Sequence, residues 1–274
     1  MNAEKITLRP LASQDDYRRC VALQRATWGE DFGECVPPSI LLAAQKVGGV
    51  AAGAFDLEGR LLGFIFGVSG VRAGRPAHWS DMLAVAEGAR GHRLGIRLKA
   101  YQRELLLKNG IEVAYWTYDP LEAQNAHINI NLLGARPIEY VPDMYGEATG
   151  SSLHAGLPTD RFVVEWLLTD PAVEAALAGE KLAQAAATEA AGVNMQTSGG
   201  ARLSHEPELP ADPAVRVEVP WDVQSLKRTS MEVARSWREE TRRAFLYYLE
   251  NGYAVTAFLR DAAGRRCFYV LTRR

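Results

Sequence analysis

Met82-Leu83-Ala84-Val85-Ala86-Glu87-Gly88-Ala89-Arg90-Gly91-His92-Arg93-Leu94-Gly95 decides the fold. The apolar run Met82 to Ala86 reads as a strand end, and Ile96 to Asn109 follows with helical periodicity. Between them the chain turns through Gly91 and Gly95. The first N–H groups of a helix have no partner within it, and the helix dipole favours an anion there. From Gly88 to Arg103 the chain carries Arg90, Arg93, Arg97, Lys99 and Arg103 and no carboxylate in that stretch before Arg103. A strand, a glycine turn and a basic helix start together make a cradle for a polyanion.

Around that stretch, strand and helix patterns alternate. Ile6 to Arg9 is a strand stopped by Pro10, and Ser13 caps a helix to about Trp28, with Asp15 and Asp16 in its first turn. A helix over Pro38 to Lys46 precedes a hairpin of Val50–Asp56 and Leu61–Val68, and His78 to Val85 is a third strand. Behind the cradle helix come a strand over Glu112 to Tyr118, a helix over Leu121 to Leu133 closed by Gly134, and strands over Ile138 to Val141 and Arg161 to Leu168. This order predicts an α/β protein with a mixed sheet.

Composition narrows the function. A net charge of −2 gives no global basic field, so the basic cluster is a local site and nucleic acid is not an expected partner. Three scattered cysteines, Cys20, Cys35 and Cys267, supply neither a disulfide framework nor a metal site. No apolar run approaches the ~18 residues of a membrane span. The opening Met-Asn-Ala-Glu-Lys has no leader-like apolar region, so a cytoplasmic protein without membrane contact is expected.

Composition also divides the chain. Residues 1–170 read as the principal domain, and 171–213 as an Ala-rich helix and a linker, the linker running from Asn194 to Pro213. Residues 214–274 read as a small C-terminal β-α-β-β module with one long helix over Val223 to Glu250. Its strand–helix–strand–strand order echoes the opening of the chain. The long helix and the exposed hairpin edge fit a homodimer contact.

Two polyanion motifs are excluded. No Gly-Lys-Ser or Gly-Lys-Thr ends the loop, and the three-glycine dinucleotide fingerprint with its later acid is missing. The stretch Val85 to Gly95 instead resembles the pyrophosphate loop of the GNAT (GCN5-related) acyltransferase superfamily, written Gln/Arg-x-x-Gly-x-Gly/Ala. Arg90 takes the first position and Gly95 the last, while Arg93 replaces the inner glycine. Ala126, Leu133, Gly134 and Ala135 fall in step with the family's later helix motif, with Asn125 displaced by two and Ile130 where a tyrosine is usual. The resemblance covers residues 5–170 and points to an atypical branch with a C-terminal extension.

That resemblance implies acetyl-CoA or another acyl-CoA, such as succinyl-CoA, as co-substrate, with no metal. Leu83, Ala84 and Val85 would line the pantetheine arm. Arg90, Gly91, His92, Arg93, Leu94, Gly95 and Arg97 would hold the pyrophosphate, with Asn125 nearby. The acceptor would be a small-molecule amine, an amino acid among the candidates, acylated directly in a ternary complex. Asp81 is the first candidate base, and His78 the second. Those two lie on opposite pleat faces of a regular strand, so only one faces the cleft unless the strand bulges. Tyr145 or Tyr140 would replace the usual tyrosine as acid. Trp116, Asp119, Asn129, Tyr140 and Arg161 are candidate acceptor contacts, Arg161 through its planar fork. Ile130 and Arg93 also leave open a non-catalytic acyl-CoA sensor or interaction module.

Overall fold

A computed structural model describes residues 6–146, 150–151, 156–180, 190–194 and 209–274. The chain divides into two compact units, one of Met1–Trp116, Thr149–Leu153 and Trp166–Asp170, the other of Thr117–Ala148, His154–Glu165 and Pro171–Arg274. The chain passes from one unit to the other within a strand, between Trp116 and Thr117, where the composition carries no linker signal, and passes finally into the second unit after Asp170.

The first unit contains β1 (Thr7–Pro10), α1 (Gln14–Trp28), α2 (Pro38–Lys46), β2 (Val50–Phe55), β3 (Leu61–Arg72), β4 (Arg75–Val85), α3 (Leu94–Lys108) and most of β5 (Val113–Tyr118). Its strands run in the order β1-β2-β3-β4-β5, antiparallel up to β4 and parallel from β4 to β5. Ser13 starts α1 as the sequence predicts. Its hydroxyl accepts from Asp16 N at 3.1 Å, and Asp16 accepts from Ser13 N at 3.2 Å, a reciprocal capping box. Asp16 also takes two bonds from Arg9 on β1, at 2.7 and 3.0 Å. Tyr17, Cys20, Leu41, Phe64, Phe66, Met82 and Ala84 meet in one apolar core.

β3 and β4 run longer than the sequence suggests, because Ala73 and Gly74, at φ 50° and 77°, form a two-residue hairpin turn that closes Arg72 against Arg75. The pairing then shifts by one residue: Phe66 faces Met82, and Gly67 faces Ser80. Asp81 is the extra residue of a β-bulge. Before it, His78 and Ser80 turn toward α3; after it, Met82 and Ala84 turn into the opposite core. Gly67 is required there, since a Cβ on it would lie 2.4 Å from His78 Nε2.

The second unit begins with α4 (Ala123–Ala126), which continues as a π-helix over His127–Leu132 and closes at Gly134, φ +67°. Only this short composite stands where a regular helix over Leu121 to Leu133 was expected. β6 (Arg136–Val141) pairs antiparallel with β7 (Arg161–Leu167). In the chain as a whole, one sheet has the order β1-β2-β3-β4-β5-β7-β6, so the mixed α/β architecture is as expected.

The rest of the second unit holds α5 (Pro171–Ala178), β8 (Ala191–Asn194), β9 (Ala214–Val219), α6 (Val223–Thr229), α7 (Met231–Glu250), β10 (Tyr253–Asp261) and β11 (Arg266–Arg273). The four strands form a second sheet, β10-β11-β9-β8. Three expectations change here. β8 occupies the end of the Ala-rich stretch and the first residue of the expected linker, Asn194, which fastens it by exchanging two side-chain bonds with the Glu218 backbone, at 2.9 and 3.0 Å. The remainder of that linker up to 208, and residues 181–189 of the Ala-rich stretch, lie outside the described residues. The long C-terminal helix breaks at Ser230, whose extended backbone lets its hydroxyl cap α7 at Val233 N. The echo of the opening of the chain is one of order only: β1 pairs with β2, whereas β9 pairs with β11 and not with β10. Among the described residues no helix is long and apolar enough to cross a membrane.

Candidate functional site

In the first unit, β4 leads through Ala86 and a 3-10 turn, Glu87–Ala89, to the start of α3. Arg93 is the N-cap residue, at φ 53° and ψ 22°, and no side chain caps the helix. The first N–H groups of α3 thus remain open, an anion-binding arrangement. Gly91 takes φ +84°, while Gly95 stands in the first turn of α3 beside β4, where a Cβ would make only ordinary contact with Leu83 Cδ2, at 3.4 Å. Arg93 thus holds the left-handed conformation that glycine adopts most readily. That conformation costs a non-glycine residue roughly 1–2 kcal/mol. Arg93→Gly is therefore expected to leave folding stability equal or raise it by up to about 1 kcal/mol by denaturant titration. A clear loss would mean that the arginine side chain holds the turn.

The basic cluster sorts into two groups. Arg90 and Arg93 are exposed beside the loop, and His92 Nδ1 lies 3.0 Å from Arg90 O. Arg97 turns to the N-terminal strand and donates to Ile6 O at 3.2 Å. Arg103 donates to Leu168 O at 2.6 Å, and Lys99 is buried. Leu94 is buried as well, so it offers its backbone and not its side chain.

Along β4, the register with β5 covers His78↔Ala114 and Trp79↔Tyr115. Along that edge from Ser80 to Val85, the alternate N–H and C=O groups of β4 have no paired strand among the described residues. Ala84 points its side chain into the apolar core, while Leu83 and Val85 are half-buried.

The bulge separates the two base candidates. Asp81 reaches solvent, and the protein crowding it pushes its carboxyl pKa above the ordinary value. His78 is fully buried, and burial, with the nearby Lys99, lowers its pKa to about 3. Gln102 donates to His78 Nε2 at 3.0 Å, and Nδ1 faces Ser69 Oγ at 3.0 Å; Ser69 in turn donates to Gly48 O at 2.8 Å. That network fixes a neutral ring with both nitrogens committed, so His78 is a structural residue and not a base. Trp116 is buried too, beneath the Lys99 amine, which sits 3.5 Å from its ring centroid. It is placed as core and not as an acceptor contact.

In the second unit the remaining candidates form a dense polar network. Tyr145 OH and Thr117 Oγ1 are 2.9 Å apart, and the Arg161 guanidinium lies 5.3 Å from the Tyr145 ring centroid. Arg161 is also 3.7 Å from Asp119, which accepts from Arg238 at 2.6 Å and from Leu121 N at 2.8 Å. Tyr140 donates to the fully buried Asp160, and burial and that carboxylate push its phenol pKa far up. Tyr140 is thereby a poor acid. Asn129 and Ile130 are buried, whereas Asn125 is exposed on α4. Thr117, Asp119, Tyr145 and Arg161 are thus brought together, Tyr140 joins their network through Asp160 and Arg238, and Asn125 stands exposed on α4.

Sequence reasoning missed the Lys99–Gln102 pair and the arginines of α7. Gly67 in the middle of β3 was the available signal for the bulge, since an isolated strand glycine often marks one.

No family model matches the chain, and no curated protein matches it. Solved structures similar to parts of it are the NatC complex bound to Gag peptide and CoA (15% identity, 60% of this chain and 99% of that one, TM-score 0.49). Others are an acetyltransferase of GNAT family from Streptococcus pneumoniae (18%, 60% and 99%, TM-score 0.47) and the ribosomal-protein-S18-alanine N-acetyltransferase from Escherichia coli (12%, 60% and 95%, TM-score 0.46).

Proposed function

We propose that the chain is an acyl-CoA-dependent N-acyltransferase of the GNAT type. One observation carries the reading: the unpaired edge of β4 leads, through the turn over residues 86–93, to the uncapped start of α3. A ligand served by both would have an extended arm bearing amides, able to bond a strand edge, and then a diphosphate for the helix N–H groups. Coenzyme A has that order of parts. Arg90 and Arg93 would flank the diphosphate with charge-assisted bonds.

The donor is acetyl-CoA or a related acyl-CoA, succinyl-CoA included, and the acceptor is the amine of a small molecule such as an amino acid. The open N–H groups of β4 would polarise the thioester carbonyl as an oxyanion hole does. Asp81 would take the proton of the acceptor amine as its nitrogen attacks that carbonyl. The carbon–sulfur bond then breaks, and the electron pair leaves on the thiolate. A thiol of pKa about 8.5 leaves without an obligatory acid, so Ile130 is compatible with turnover. Tyr145 is the candidate acid in the second unit, and Arg161, held toward Asp119, is the candidate reader of an acceptor carboxylate.

Calorimetric titration with CoA and acetyl-CoA tests the reading, with adenosine as the control lacking the diphosphate. Binding of both CoA species and not of adenosine is expected, followed by thiol release with pooled amines. No binding of any CoA species would overturn it. Binding without thiol release across a broad amine panel would favour a sensor, the reading that the buried Ile130 supports.

A further inference from the structure

Lys99 lies in the interior of the first unit, 6% exposed, with a neutral set of contacts: Ser80 Oγ at 2.8 Å, Gln102 Oε1 at 3.3 Å and the Trp116 and Trp166 ring centroids at 3.5 and 5.9 Å. Burying an amine among neutral groups costs stability, and an apolar chain of the same length would fill the space. Packing alone therefore does not explain a lysine here.

Its location does. Ser80 immediately precedes the bulged Asp81, and Gln102, one turn along α3 from Lys99, holds His78 on the same face of β4. A β-bulge leaves its extra residue outside the ladder, and a one-residue slip exchanges the faces of everything beyond it. If the part of β4 before the bulge slipped into the register set by Met82 opposite Phe66, Asp81 would face Gly67 and turn inward toward α3, and Ser80 and His78 would swing away from α3. The Ser80 hydroxyl and the His78 ring, both tied to α3, oppose that slip. The same helix thus forms the anion cradle at its start and grips the strand just before Asp81 at its middle.

We propose that Lys99 is a positioning residue: through Ser80 it holds the β4 bulge that presents Asp81 to solvent. The inference rests on the reading of Asp81 as base for its effect on turnover, but its structural half stands apart from that reading. The test uses the full chain with Lys99→Met and Ser80→Ala, and Ser80→Thr as the conservative rescue. Lys99→Met should keep or raise the melting temperature, leave CoA affinity within about twofold, and lower turnover about tenfold or more. In both variants, carboxyl 13C NMR should show the Asp81 titration moving further above the ordinary value of about 3.9, as the side chain turns inward. Ser80→Thr should restore both.

Unchanged turnover and unchanged Asp81 titration would overturn the inference, as would a loss of CoA affinity equal to the loss of turnover. Should Lys99→Met fail to fold, Ser80→Ala, which removes a single hydroxyl, decides. If Asp81→Asn keeps full activity while the NMR shift occurs, the base assignment fails and the positioning role stands.

Discussion

Asp81→Asn is expected to cut turnover by about 10²–10⁴-fold while leaving CoA affinity unchanged and making the protein more stable at neutral pH. An asparagine matches the carboxylate in shape but cannot accept the acceptor's proton. Asp81 sits on the bulge of β4 and not in the Arg90–Gly95 turn, so the cradle is untouched. The stability change follows from the sign of the pKa shift. Crowding raises the Asp81 carboxyl pKa above its unfolded value. What the group contributes to stability is therefore present below the unfolded carboxylate pKa and lost as pH rises through the folded value. At neutral pH the ionised Asp81 is a cost that asparagine removes. The melting temperature of the variant should exceed that of the wild type at pH 7, and the gap should close toward pH 4. Turnover of the wild type should rise with pH through a value above the ordinary carboxylate range, and the variant should lack that limb. Unchanged turnover, or a fall in CoA affinity matching the fall in rate, would remove Asp81 from the proton path. Loss of rate with gain of stability is the signature of a residue kept for chemistry at the expense of the fold.

Much of this was legible where local chemistry decides structure. The Ser13 cap, the strand ends and the strand–glycine turn–helix at Arg90–Gly95 all depend on residues within a few positions of one another, and the structure has them. What escaped depends on register or on distant partners. His78, Ser80, Met82 and Ala84 share one parity and read as one face of a strand, but the bulge at Asp81 sends the first two to α3 and the last two to the opposite core. Lys99 and Arg103 counted toward a basic cradle because charge is additive along a sequence. In the helix, Lys99 follows the buried Leu98 and shares its face with Gln102, so it turns inward. Ser230 looked like one more helical residue within a long periodic run, yet its hydroxyl starts a new helix. The partners of Asp119 and Asp160 are Arg238 and Arg242, which are far along the chain and carry no local signal.

That last pairing leads to the largest stability effect expected in the second unit. Asp160 is fully buried and accepts from Arg242 Nε at 2.8 Å, from a second Arg242 nitrogen, from Tyr140 OH and from Asp143 N at 3.0 Å. Burial alone would raise its pKa, but the bonds from Arg242, Tyr140 and Asp143 outweigh burial and hold it below the ordinary value. Asp160→Asn turns one acceptor oxygen into an N–H₂ donor facing other donors, and it removes the charge that Arg242 answers. Breaking a buried pair from one side costs about 3–5 kcal/mol, and a loss of that size is expected by denaturant titration of the second unit's unfolding. Arg242→Met should cost a comparable amount at neutral pH, because it leaves the fully buried Asp160 carboxylate without its cation. The pH dependence has the sign opposite to that of Asp81. With a depressed folded pKa, the contribution of Asp160 is present above the unfolded carboxylate pKa and lost as pH falls through the folded one. The gap between wild type and Asp160→Asn should accordingly be widest near pH 7 and narrow below about pH 4. A gap that stays constant from pH 7 to pH 3 would mean that the cost lies in packing, and that the carboxylate enters the native state uncharged.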